Sequence, residues 1–115
     1  MGVDMSCVRT TLASMTISTT FTSDDDGAML WLDYVTGTAV LRVAGTVATL
    51  DQPAMTVLGT ALRHGVGRAY VEAHEYGTAV RVSNGRTVIV EQRGKQPTYV
   101  RLTRRDAQRL SNILA

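Results

Sequence analysis

The side chains in this chain that could do chemistry are few, and their spacing matches no catalytic or metal-binding motif. His64 and His74 lie ten residues apart, without the thiolate or carboxylate partners that a zinc site needs. Ser83, Ser111 and Cys7 have no base at a recognisable nucleophile–base spacing. We therefore predict a protein that is not an enzyme and that uses no metal and no cofactor.

Two acidic clusters could form sites, but neither has the residues or the spacing that its chemistry needs. Residues 24–26 are three aspartates followed by Gly27, which could open a calcium loop, but the remaining ligand positions and the terminal glutamate are missing. This run is typical of a turn instead. Glu72 and Glu75 flank His74, yet they fall around a predicted strand end and do not form an acid–base pair.

Length and composition indicate one compact domain. The chain has 115 residues, 44% of them hydrophobic, which is enough for a single core and too little for two independent ones. Its apolar runs are far shorter than a bilayer-spanning helix, no secretory signal opens it, and a single cysteine fits a reducing compartment. We expect a soluble, cytoplasmic protein with no membrane partner.

The charge is distributed unevenly. The net charge is +2, but residues 1–64 carry −3 and residues 65–115 carry +5. Eleven of the twelve basic residues are arginine, a bias typical of GC-rich bacterial or phage genomes. The second half is therefore expected to face an anionic partner, the alternative being an ordinary solvated basic surface.

The first half is predicted to form four strands and a helix. β-branched and alternating apolar residues predict strands at 10–22, 29–35, 39–43 and 47–50. Asp51 is placed to cap a helix, Pro53 fits its first turn, and His64 and Gly65 end it. Its predicted apolar stripe consists of Ala54, Val57, Leu58, Ala61 and Leu62.

The second half repeats this plan. Strands are predicted at 68–75, 78–82, 86–93 and 98–102. Thr103 and Asp106 form a capping-box-like pair before the last helix. The stripe of that helix consists of Ala107, Leu110, Ile113 and Leu114.

An offset of 52 residues superposes the two strand-plus-helix endings. It places Leu50 on Leu102, the cap Asp51 on the cap Thr103, and Leu58 on Leu110. We therefore predict an α+β fold of two ββββα repeats, at residues 10–65 and 66–115, after a flexible N-terminus at 1–9. The alternative is one irregular eight-stranded α+β domain without true repetition.

The faces of the second sheet follow from its central hairpin. Asn84-Gly85 predicts a two-residue type I′ turn that pairs Ser83 with Arg86. This register puts Val80, Val82 and Ile89 beneath the helix. The opposite face would carry Arg81, Ser83, Arg86, Val88 and Val90, joined by Arg68, Tyr70, His74, Tyr99 and Arg101 from the neighbouring strands.

A sheet face of arginine, tyrosine and valine suits single-stranded DNA or RNA, because arginines neutralise phosphates while rings stack on unpaired bases. The predicted contact residues are Arg68, Tyr70, Arg81, Arg86, Arg93, Lys95, Tyr99 and Arg101. Helix arginines Arg104, Arg105 and Arg109 would extend the basic surface. The alternative is an oligomerising structural or adaptor protein that uses the same face, or the helix stripes, for protein contacts.

Residues 79–115 carry a family resemblance. The order of residues 88–91, Pro97, Leu102-Thr103 and the final amphipathic helix is similar to the core of the Whirly and transcriptional positive-cofactor-four proteins. The lysine-rich approach and signature motifs of those proteins are missing. The resemblance implies a curved sheet that binds single-stranded DNA, often in an oligomer. We expect a role in bacterial or phage DNA metabolism or transcription control.

Overall fold

The computed structural model describes residues 16–115 and shows the ββββα unit twice, as predicted. The first unit consists of β1 (Thr16–Thr22), β2 (Met29–Val35), β3 (Thr38–Val43), β4 (Thr46–Asp51) and α1 (Gln52–Arg63). The second consists of β5 (Ala69–Glu72), β6 (Thr78–Ser83), β7 (Thr87–Gln92), β8 (Thr98–Arg101) and α2 (Arg104–Leu114).

Each unit forms its own antiparallel sheet with the strands in chain order. We call β1–β4 sheet A and β5–β8 sheet B. Alternate side chains point to opposite faces of a strand, so one face of each sheet is apolar and buried while the other is exposed. Leu30, Leu32 and Leu41 are buried on the inner face of sheet A, and Val80, Val82 and Val100 on that of sheet B.

Both helices begin at the predicted caps. The Asp51 side chain accepts a hydrogen bond from the Ala54 N–H at 3.0 Å, and Thr103 Oγ1 accepts one from the Asp106 N–H at 3.1 Å. Each bond satisfies an N–H that has no partner within its own helix. α1 ends at His64, which is its C-cap residue.

The helices join the inner faces of both sheets in one core. They meet at Gly59 and Ser111, which correspond at the offset of 52, and the Ser111 Oγ donates to the Gly59 carbonyl at 2.7 Å. A Cβ on Gly59 would lie 2.7 Å from that of Ala115, so the absence of a side chain permits the close approach. Val57 was predicted in the stripe of α1, but it is exposed.

A reciprocal set of hydrogen bonds joins the two sheets, and we call it the seam. The His74 N–H donates to the Thr49 carbonyl at 3.0 Å, and the Asp24 N–H donates to the Arg101 carbonyl at 2.9 Å. Thr49 and Arg101 correspond at the offset of 52. The turn after the first strand of each sheet is therefore bonded to the last strand of the other sheet.

Side chains complete both halves of the seam. The Glu75 carboxylate accepts from the Thr49 N–H at 2.7 Å and from its Oγ1 at 2.6 Å. On the other side, Ser23 Oγ accepts from the Arg101 N–H at 3.0 Å. Burial raises the pKa of Glu75, but the Thr49 hydrogen bonds outweigh it, so this pKa lies below its ordinary value.

Most predicted strand bounds lie within one residue of the observed ones, and the largest difference is at the end of β5. β1 is described from Thr16, so the predicted strand residues 10–15 and the predicted flexible residues 1–9 lie outside the described part. β5 ends at Glu72 rather than at residue 75, because the chain turns between residues 73 and 78. The Ala73 N–H donates to the Thr78 carbonyl at 2.9 Å and the Thr78 N–H donates to the Glu75 carbonyl at 3.0 Å, so His74 lies in this connection. Within residues 16–115, neither helix is long and apolar enough to cross a membrane.

The turn at Gly85 gives a first test of the fold. Gly85 has a φ of +65°, and a Cβ there would lie 2.3 Å from the Gly65 backbone. Gly85→Ala should therefore destabilise the protein by about 3 kcal/mol or more, since strain and overpacking add. Gly94→Ala is the matched control: its φ is also positive, at +82°, but the space around it is open. It should cost only about 1–2 kcal/mol in a urea unfolding series, and equal losses would contradict the close approach.

The second test uses the pH dependence of the stability that Glu75 contributes to the seam. Because the folded-state pKa of Glu75 is lowered, its stabilisation is complete above the unfolded value of about 4 and is lost as the pH falls through the folded-state pKa. Glu75→Gln should lower the free energy of unfolding at neutral pH by about 1 kcal/mol. In acid, the free energies of unfolding of the variant and the wild type should differ by less. Glu72→Gln, at an exposed position with no ion pair among residues 16–115, should leave stability unchanged. A pH-independent loss in Glu75→Gln would contradict this account.

Candidate nucleic-acid interface

The central hairpin of sheet B has a different register from the predicted one. Asn84 and Gly85 both have positive φ, as predicted, but Arg86 also belongs to the turn and Ser83 pairs with Thr87. The prediction that Ser83 pairs with Arg86 was wrong by one residue. The Arg86 N–H instead donates to the Ser83 carbonyl at 3.2 Å.

The shifted register changes which β7 residues face solvent. Val88 and Val90 were predicted on the outer face, but both are buried opposite Val82 and Val80. Ile89 was predicted beneath the helix, but it lies on the outer face. Burying two valines at the expense of one isoleucine removes more apolar surface from water, which favours the observed register over the two-residue turn.

The corrected outer face of sheet B has a single cross-strand row at its centre. Tyr70 pairs with Arg81, Arg81 with Ile89, and Ile89 with Tyr99, one residue from each of the four strands. Tyr70 is 59% exposed and Tyr99 43% exposed. We call these four residues the B row; it combines two accessible rings, an aliphatic side chain and one guanidinium.

The remaining predicted contact residues are distributed around this row. Arg68 lines a cleft of about 560 Å³ together with Tyr70, Arg81 and Ser83. Arg101 is in β8, the edge strand, where it pairs with Thr87 of β7, which in turn pairs with Ser83 of β6. The structure thus brings five of the predicted contact residues to one face.

Arg86 has a different position. Its Nε donates to the Leu102 carbonyl at 2.9 Å, and its guanidinium pairs with Asp24 at 2.9 Å. It holds the β1–β2 turn, which contains Asp24, against sheet B. His74, also predicted on this face, lies in the β5–β6 turn and takes part in the seam.

Carboxylates compensate much of the positive charge on this face. Arg81 Nε lies 2.9 Å from Glu91 Oε1, and Arg101 Nε lies 3.6 Å from Asp24 Oδ1. The Asp24 N–H bond to the Arg101 carbonyl places the acidic turn beside the β8 edge. The negative charges of Asp25 and then Asp26 in this turn raise the pKa of Tyr99. The surface is therefore less basic than the composition of residues 65–115 suggests.

Three of the predicted contact residues have no carboxylate within 4 Å in the described part of the chain. They are Arg68, Arg93 and Lys95. Arg93 and Lys95 lie in the connection from β7 to β8, where the Arg93 guanidinium stacks 5.2 Å from the Tyr76 ring centre and donates to its hydroxyl at 3.0 Å. The uncompensated charge therefore lies toward β5 and this connection, away from the acidic turn.

Sheet A has a corresponding row that the sequence analysis missed. Val47 corresponds to Tyr99 at the offset of 52, and the cross-strand pairs from Val47 lead to Arg42, Trp31 and Thr20. Trp31 is 51% exposed, and Arg42 pairs with Asp33 at 3.2 Å. The signal was in the alternation of β2, where Trp31 lies between the inward Leu30 and Leu32.

The side chains first considered for chemistry are scattered. Among residues 16–115, no group of three or more His, Cys, Asp or Glu side chains could hold a metal ion. Ser111 is buried between the helices. Cys7 lies outside the described residues.

Comparison of the chain with protein-family models, curated proteins and solved structures finds no significant match. The resemblance to the Whirly and positive-cofactor-four proteins therefore stays a prediction. Any functional conclusion depends on the geometry of the two outer faces.

Proposed function

We propose that the outer face of sheet B binds single-stranded nucleic acid, mainly by stacking. The observation that carries this proposal is the B row, in which two exposed tyrosines flank a guanidinium and an isoleucine on one continuous surface. Base–aromatic stacking contributes about 1–3 kcal/mol per base and accepts any base.

The dimensions of the row fit an extended strand. Neighbouring strands lie about 4.8 Å apart, so Tyr70 on β5 and Tyr99 on β8 are separated by about 14 Å. The two rings would therefore stack on different bases of one strand rather than enclose a single base. Arg81, between them, offers its guanidinium plane to an intervening base.

The charge distribution favours phosphates on one side of the B row. The acidic turn with Asp25 and Asp26 repels phosphate from the β8 edge, while Arg68, Arg93 and Lys95 attract it toward β5 and the β7–β8 connection. With about three phosphates neutralised, log K should fall with log salt at a slope of about −2 for a single strand. A broad basic surface would give a steeper slope.

This proposal is tested by fluorescence anisotropy with a labelled single-stranded oligonucleotide and its duplex, across a salt series. Tyr70→Ala and Tyr99→Ala should each weaken single-strand binding about tenfold, because each removes one stacking platform. Trp31→Ala, an aromatic truncation on the other sheet, is the matched control and should leave affinity unchanged. No single-strand binding at low salt would overturn the proposal.

A second candidate function comes from sheet A. Met29, Trp31 and Val47 line an open apolar cleft of about 550 Å³ beside Arg42. Exposed apolar patches mark interaction sites more often than scattered single residues do. We propose as the alternative that this patch joins two copies of the chain. The helix stripes, which together with the outer face of sheet B were predicted as oligomerisation surfaces, are largely buried in the core.

The alternative is tested by light scattering coupled to size-exclusion chromatography. A dimer that Trp31→Glu converts to monomer, with Tyr70→Ala as the control that stays dimeric, would support it. A wild-type monomer at every concentration would exclude it.

A further inference from the structure

A cleft of about 720 Å³ opens at one end of the B row, between the β5–β6 turn and the β7–β8 connection. Tyr70 belongs to both the row and the cleft lining. The volume lies within the range of small-molecule and base-sized sites. A strand that crosses the row would therefore reach this cleft with its next base.

The cleft exists because the connection between the third and fourth strands is longer in the second repeat. In sheet A, two residues separate the paired Val43 and Thr46, whereas in sheet B seven separate the paired Val90 and Thr98. The longer connection brings Arg93 and Lys95 to the cleft wall. Binding groups are commonly placed on such loops, over a rigid sheet.

The opposite part of the cleft is acidic. Glu72 and Glu91 lie on the outer face on either side of Ala79, in one cross-strand row. Ala79 contributes only a methyl group, which leaves a gap between the two carboxylates. Glu91 is neutralised by Arg81, but Glu72 has no hydrogen-bond or ion-pair partner among the described residues.

A carboxylate in this position selects among the bases. It accepts hydrogen bonds and donates none, so it matches an edge with two adjacent donors. Guanine presents N1–H and the 2-amino group side by side, whereas adenine and cytosine place an acceptor nitrogen beside their amino group. Single-strand proteins read such Watson–Crick edges directly.

The cationic wall suits the phosphate of the same nucleotide. Arg93 and Lys95 line the cleft with no carboxylate partner within 4 Å in residues 16–115. Both residues are exposed, so their cations are available to bind a phosphate.

We infer that this cleft is a guanine-selective site, in which Glu72 accepts from the guanine edge, Tyr70 stacks on the base, and Arg93 and Lys95 hold its phosphate. The inference rests on the proposed function, because it makes the cleft the base-reading end of the strand path. The shared chemistry is a guanine nucleotide, either within a strand or free.

The test uses labelled oligothymidylate carrying one central substitution. The strand with guanine should bind about tenfold more tightly than the all-thymine strand, which matches one good bidentate base contact. Strands with adenine, cytosine or hypoxanthine should bind with affinities close to that of the all-thymine strand. Hypoxanthine is the sharpest comparison, because it keeps N1–H but lacks the 2-amino group. Glu72→Gln should abolish the guanine preference, so that the guanine-containing and all-thymine strands bind this variant equally.

The outcomes separate this inference from the proposed function. Equal affinity for all strands, or a guanine preference that survives Glu72→Gln, would overturn the guanine site and leave strand binding intact. No binding of any strand would overturn the proposed function. Competition by guanosine monophosphate, at an affinity matching the guanine-containing strand, would assign the site to a free nucleotide; weak competition would assign it to the strand.

Discussion

The seam between the two sheets is the constraint on which the rest of this structure depends. A four-stranded meander has two edge strands, each with a row of unpaired N–H and C=O groups. Here the turn containing His74 bonds to Thr49, and the turn containing Asp24 bonds to Arg101. Because these bonds are reciprocal, both sheets are held around the helix pair, and the two outer faces take fixed positions.

That arrangement is close to symmetric in its backbone and asymmetric in its chemistry. Gly59 and Ser111 meet where the helices cross, and the two rows correspond residue by residue. Trp31 dominates one row, whereas Tyr70 and Tyr99 dominate the other. The longer β7–β8 connection adds charged residues to sheet B alone, so a duplicated scaffold presents two unlike surfaces.

Local signals predicted most of the fold, and non-local contacts account for what they missed. The caps at Asp51 and Thr103 and the positive φ of Asn84 and Gly85 depend on a few neighbouring residues, and they were predicted correctly. The register was not, because valines and an isoleucine alternate through β7 and either parity offers an apolar face. The pairing of Arg86 with Asp24 joins residues 62 positions apart, so nothing local indicates that it removes a cation from the surface.

The binding face can be located by nuclear magnetic resonance of the aromatic rings during titration with a single-stranded oligonucleotide. Stacking on a ring shifts its resonances, so the measurement locates the contact surface without any substitution. If sheet B is the binding face, the rings of Tyr70 and Tyr99 shift while the Trp31 indole does not. A shift of Trp31 with both tyrosines unchanged, or no shift of any ring, would contradict the assignment of sheet B as the binding face.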